Sequence, residues 1–126
     1  MAIPDSASAS AIDRTAVLEH FEDDVELIRD IAQLFLDACP RRLSTIREAI
    51  ALGDGQALQA AAHSLRGSAS NFGATAVVAT ALRLEAMGRA NDLSDAAEVY
   101  RVLEREVACL QAELVALRSA VSKEVH

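Results

Sequence analysis

Histidine, arginine and glycine at one particular spacing are the residues of this chain that could do chemistry. His63 is followed by Arg66 three residues on and by Gly67 four residues on, within Ala62-His63-Ser64-Leu65-Arg66-Gly67-Ser68-Ala69-Ser70-Asn71-Phe72-Gly73-Ala74. With a helical advance of about 100° per residue, Leu58, Ala61, Ala62, Leu65, Ala69 and Phe72 fall within roughly 60° of Leu58 and form one apolar stripe. His63 lies about 140° from Leu58, Gly67 about 180° and Ser70 about 120°, with Gln59 and Arg66 on the flank nearest them. The spacing therefore predicts an imidazole facing solvent. Taken alone, an exposed histidine is an ordinary surface residue. Gly67 sharpens the reading, because glycine inside a helix costs ~1 kcal/mol relative to alanine. It is either a tolerated defect or clearance that lets another backbone reach the ring. Arg66 can meet an anion there, since a guanidinium pairs with phosphate oxygens as a bidentate fork. Histidine, cation and clearance together describe a docking site for a phosphoryl group.

Other chemistries lack their parts. The three histidines, His20, His63 and His126, lie far apart, and the two cysteines form no paired motif, so no metal site is expected. There is no Gly-x-Ser-x-Gly elbow and no glycine-rich phosphate loop after a strand. The carboxylates are expected mostly on polar helix faces, as solvated surface. A net charge of -7 argues against nucleic acid, whose binding depends on neutralising a phosphate backbone. Cys39 and Cys109 each sit among apolar residues at helical spacing, which predicts two buried, reduced thiols. No window approaches the ~18 apolar residues of a membrane span, and no targeting leader is visible, so a cytosolic location without membrane contact is expected.

The elements that must position His63 are helices. The chain has 126 residues, is 52% apolar and contains only four aromatic residues, a balance that suits packed helices. Residues 1–11 read as a flexible tail or linker end. The region 12–122 then reads as one domain and 123–126 as a second tail. Asp13 is a candidate cap for a short helix carrying Val17, Leu18 and Phe21, and the cluster Glu22-Asp23-Asp24 offers the next cap. Val25, Ile28, Ile31, Phe35 and Ala38 begin a strong helical pattern that resumes after Pro40 at Leu43, Ile46 and Ile50. This is one kinked helix or two nearly collinear ones. Gly53 fits its end and Asp54 caps the His63 helix. Gly73 fits the end of that helix, and Val77, Ala81, Leu84 and Met87 carry the next, with Gly88 closing it. After the turn Asn91-Asp92-Leu93-Ser94, the residues Ala96, Tyr100, Leu103, Val107, Leu110, Leu114, Leu117 and Val121 step as a heptad seam. No alternating strand pattern is found. The expectation is an all-α, antiparallel up-down four-helix bundle with a short extra N-terminal helix.

The segment around His63, together with Asn71-Phe72-Gly73-Ala74, closely resembles the signature of histidine-containing phosphotransfer (HPt) domains of two-component phosphorelays. Ile31-Ala32-Gln33-Leu34-Phe35-Leu36-Asp37 with Pro40, Ala49 and Asp54, and Leu82-Arg83-Leu84-Glu85 before Gly88, also look like family positions. Arg66 stands where the family commonly has lysine, which replaces a point charge by a fork. The resemblance implies that His63 accepts a phosphoryl group from a receiver-domain phospho-aspartate, by in-line attack through Nε2, and passes it to another receiver. It implies that Arg66 compensates phosphate charge and that Gly67 admits the partner. Gln59 and Ser70 are candidate contacts to the ring or the phosphate. No cofactor is expected in this chain, because the Mg²⁺ belongs to the partner receiver. The resemblance further implies a module with no ATP site of its own, either free or joined to a hybrid sensor kinase and so tethered at the inner membrane. Two alternatives are the dimerisation and phospho-acceptor segment of a histidine kinase, which normally has Thr-Pro after His-x-Leu-Arg, and a non-catalytic helical interaction bundle.

Overall fold

The computed structural model describes residues 11–124, with side chains described through residue 119. The expected tail over residues 1–11 lies outside the described residues except for Ala11; of the expected tail over 123–126, residues 123 and 124 instead continue the last helix, while 125 and 126 and the side chain of Val121 lie outside the described residues. Five helices follow in order: α1 (Arg14–His20), α2 (Val25–Leu52), α3 (Gly55–Ser70), α4 (Thr75–Ala90) and α5 (Ala96–Glu124). Among the described residues there is no strand. The four long helices form the bundle and α1 is the extra N-terminal helix.

Local chemistry sets the ends. The carboxylates of Asp13, Asp24 and Asp54 each accept the amide three residues on, the geometry of an N-cap, which contributes about 1 kcal/mol per helix. Gly53 and Gly73 adopt φ of 68° and 61°, the left-handed conformation that terminates a helix and that glycine reaches without a Cβ penalty. Pro40 lies within a single continuous α2, which settles the choice between one helix and two. Its ring faces solvent on the exposed side of the helix.

Leu58, Ala62, Leu65, Ala69 and Phe72 of the stripe are buried and Ala61 is partly buried, and the seam residues of α5 from Ala96 to Leu117 are buried. Phe72 meets Phe35 edge to face at 5.6 Å, joining the end of α3 to the middle of α2. Tyr100 donates its hydroxyl to the Leu43 carbonyl at 3.2 Å, tying α5 to α2. Glu113 of α5 accepts the amides of Ala11 and Ile12, and the Asp13 amide donates to the Phe72 carbonyl. The start of the described chain is thereby pinned beside the turn that ends α3.

Two expectations are corrected here. Gly88 does not close α4, which runs on to Ala90 and ends at Asn91 with φ 55°. Gly88 is instead buried inside the helix, where a Cβ would stand 2.5 Å from the Gly55 carbonyl oxygen and 2.7 Å from the Gln59 nitrogen. Its missing side chain is what lets α4 lie against the first turn of α3. Cys109 is exposed, because residue 109 of α5 falls outside the seam marked by Val107 and Leu110; Cys39 is buried, and burial raises its thiol to about 11.

Replacing Gly88 by alanine should lower stability by about 1–3 kcal/mol, the usual range for forcing a methyl group into a packed interface. Urea unfolding followed by circular dichroism will measure it, and an unchanged midpoint would show that α3 and α4 can separate freely.

Candidate functional site

The site is built on the pair of helices in closest association, α3 and α4. His63 occupies the solvent side of α3, with 65% of its side chain exposed. Opposite it, α4 presents Glu85, whose side chain is only 4% exposed. The gap between these two values defines the site. An exposed ring leans back onto a buried carboxylate.

Glu85 Oε2 lies 2.8 Å from His63 Nδ1. Arg66, one turn beyond His63 on α3, donates its Nε–H to Glu85 Oε1 at 2.7 Å and an Nη2–H to Oε2 at 3.3 Å, a bidentate grip on the carboxylate. Arg89, one turn along α4, approaches Oε2 at 3.7 Å from an exposed position and adds little. Hydrogen bonding by Arg66, and then by His63, holds the Glu85 carboxyl below the usual glutamate range, although burial pushes the other way. The same hydrogen bond to Glu85 raises Arg66.

This arrangement assigns the imidazole tautomer. Arg66 Nη2 also lies 2.9 Å from His63 Nδ1, so a cation that only donates and a carboxylate that only accepts converge on one nitrogen. A bare Nδ1 would set its lone pair against the ionised Glu85 oxygen at 2.8 Å. A protonated Nδ1 donates to that oxygen, and the guanidinium uses the same oxygen in parallel. The proton therefore belongs on Nδ1, which leaves the ring's lone pair on Nε2.

The other sequence-derived candidates surround this core. Gly67 lies on the exposed face of α3, and a Cβ there would meet nothing within 4 Å, so the chain itself does not require glycine at that position. Ser70 is exposed and donates its hydroxyl to the Gly67 carbonyl at 2.7 Å, within its own helix. Gln59 is half-buried, and its backbone forms the surface on which Gly88 rests. Arg66 does not stand free beside the ring; its fork is engaged by Glu85. On the opposite flank, Arg42 of α2 donates to the Ser64 carbonyl at 3.2 Å and to the Ser68 hydroxyl, bracing the helix that carries His63.

Glu85 is the exception to the expectation that the carboxylates lie mostly on polar helix faces: it is buried. A signal for it exists in the sequence: residue 85 lies about 40° from Ala81 on the helical wheel, within the apolar stripe of α4. A carboxylate in such a stripe calls for a cationic or hydrogen-bonding partner. No group of three or more histidine, cysteine, aspartate or glutamate side chains that could hold a metal occurs among the described residues.

The family model described as "Hpt domain" matches residues 30–120. No curated protein is matched. Among solved structures, the histidine-containing phosphotransfer protein B of Pseudomonas aeruginosa PAO1 superposes with a TM-score of 0.81 at 26% sequence identity, covering 87% of this chain and 96% of that one.

Two measurements test the site's energetics. A depressed Glu85 carboxyl contributes stability that is complete above the ordinary glutamate range and is lost as the pH falls through it toward the lower folded value. The stability gap between the native chain and Glu85→Gln should therefore narrow in acid, as read by urea unfolding at a series of pH values. Gly67→Ala should raise stability by up to about 1 kcal/mol, because helix propensity improves and nothing is displaced. A lower melting temperature for that variant would show that glycine is needed there by the fold itself.

Proposed function

The chain belongs to the Hpt domain family, whose members are phosphotransfer modules, not kinases with an ATP site, and from that premise we propose that it is a phosphorelay intermediate with His63 as its phosphoryl carrier. The observation that carries the assignment is the hydrogen bond from His63 Nδ1 to the buried Glu85 carboxylate, which leaves Nε2 bare on an exposed face. In this reading Nε2 attacks the phosphorus of a receiver's aspartyl phosphate in line. A second receiver later takes the group. Phosphoryl transfer through a loose transition state asks the protein mainly for positioning and charge compensation. The rigid α3–α4 pair supplies the first, and Arg66 lends positive charge from beside the ring.

Gly67 serves as the opening through which a receiver's active-site loops come close. Its fit to that role is the open space around its Cβ position, at a residue type that weakens its own helix. Between α2 and the end of α3 lies an apolar hollow of about 340 Å³ lined by Ile31, Leu34 and Phe35 with Arg42, Ser68 and Asn71. Leu34 is 64% exposed beside it, a suitable seat for an apolar face of the receiver. Gln59 and Ser70 border the approach as secondary polar contacts. Mg²⁺ is supplied by the receiver. The same reading puts the chain in the cytoplasm, free or joined to a hybrid sensor kinase. Among the described residues no helix is long and apolar enough to cross a membrane.

A panel of phosphorylated receivers tests the assignment. Native protein should take up the phosphoryl group from at least one of them, whereas His63→Gln should fold normally and stay unlabelled; label retained on the variant would refute His63 as carrier. Gly67→Leu should keep the helical circular dichroism spectrum and lose transfer by about tenfold or more, the order of effect expected when reacting groups are held an ångström from their proper positions.

A further inference from the structure

Away from His63 the bundle carries another hollow. Each of the four long helices packs on two others in a ring, so the α2–α5 groove runs along the face opposite the α3–α4 pair. In that groove lies a hollow of about 350 Å³. Its floor is apolar, with Ile50 and Ala51 from the last turn of α2 and Ala97 and Tyr100 from the first turn of α5. The hydrogen bond from the Tyr100 hydroxyl to the Leu43 carbonyl fixes that floor. Its rim is charged and exposed: Arg47 on α2, Arg101 and Glu104 on α5. Neither arginine forms an ion pair among the described residues.

The outer face of α5 has a pattern that selects one occupant. Ala97, Arg101, Glu104 and Ala108 are all exposed and recur at intervals of four, three and four, so they share an arc of about 60°. A stripe so spaced is symmetric about the point between Val102 and Leu103. A second α5 laid on it antiparallel, across a two-fold axis, sets Arg101 against Glu104 and Glu104 against Arg101, with Ala97 against Ala108 at either end. Laid parallel and in register, it would set arginine on arginine and glutamate on glutamate. Charge therefore favours one orientation and opposes the other. The two alanines carry no long side chain, so the helix axes can come to the close end of the usual range, about 8 Å.

We infer that this face is the interface of a two-fold homodimer, in which α5 of a second copy lies antiparallel on the α2–α5 groove. Such a contact is isologous, the same patch serving on both copies. Ala108 and the aliphatic stem of Arg101 from the second copy cover the apolar floor, since long cationic side chains bury their stems while the charged end stays in water. Each copy carries a net charge of -7, so overall repulsion opposes association. Around the hollow, by contrast, two arginines stand with one carboxylate, and the contact falls where that repulsion is locally offset. Both His63 faces point away from the two-fold axis and stay open.

Sedimentation equilibrium of the full chain tests this. From about 1 µM to about 1 mM, the range in which small and partly polar interfaces associate, the mass should rise reversibly from one chain toward two. Arg101→Glu and Glu104→Arg each convert both ion pairs into like-charge contacts. Each should weaken the dimer about tenfold or more and leave the helical circular dichroism unchanged, because both positions are exposed. Mixed in equal amounts, the two variants pair glutamate with arginine at every contact and should regain association, and so should the variant carrying both substitutions. A native chain that stays monomeric throughout the range would overturn the dimer. A dimer that neither single variant weakens would place the contact on another face, and a mixture that stays as weak as its components would overturn the antiparallel register.

Discussion

A carboxylate placed where helix α4 is otherwise apolar is the constraint on which the site depends. Glu85 could not remain ionised and nearly inaccessible to water without donors, and both come from one turn of α3: His63 at 2.8 Å and Arg66 at 2.7 Å. Buried charge that is paired and hydrogen-bonded adds little net stability but fixes geometry, because every alternative arrangement leaves a charge uncompensated. Here the geometry fixed is the rotation of an imidazole that is otherwise free in solvent. An exposed histidine acquires a single tautomer and a single outward nitrogen without being buried itself.

The helix crossing underneath serves the same end. Gly55 and Gly88 bring the start of α3 and the end of α4 into backbone contact, and a Cβ on either residue would come within 2.7 Å or less of the other helix. Glu85 is less than one turn from Gly88, so the depth of that crossing sets the reach of its carboxylate toward His63. Glycine therefore does two opposite jobs in one small domain. At position 88 it removes volume so that two helices of the same chain can touch, and at position 67 it leaves space that this chain does not fill. Arginine at position 66 suits these contacts: a planar fork can hold both oxygens of Glu85, which a single ammonium cannot do with the same geometry.

Much of this was legible in the sequence. The periodic apolar stripes around Leu58 and along α5 from Ala96 to Leu117 are core, since period alone decides which face of a helix meets its neighbours. The caps at Asp13, Asp24 and Asp54 and the left-handed glycines at 53 and 73 followed from local backbone chemistry. Counting residues around the helix puts His63 on an exposed face, where it lies. Cys109 and Gly88 depart from expectation for one cause: residue type and immediate neighbours predict a buried thiol and a helix-ending glycine, whereas each environment is set by whether another helix passes over it.

The sequence by itself determined the helices, their inward faces and the exposure of His63, because these depend on interactions within a few residues along the chain. Only the tertiary structure decided that Glu85 lies against His63 across 22 positions, that Arg66 faces this carboxylate, and that Nδ1 is the ring nitrogen it engages. Those facts depend on the register and depth of one helix packed on another. A charge pair between two helices leaves no periodic mark in either of them.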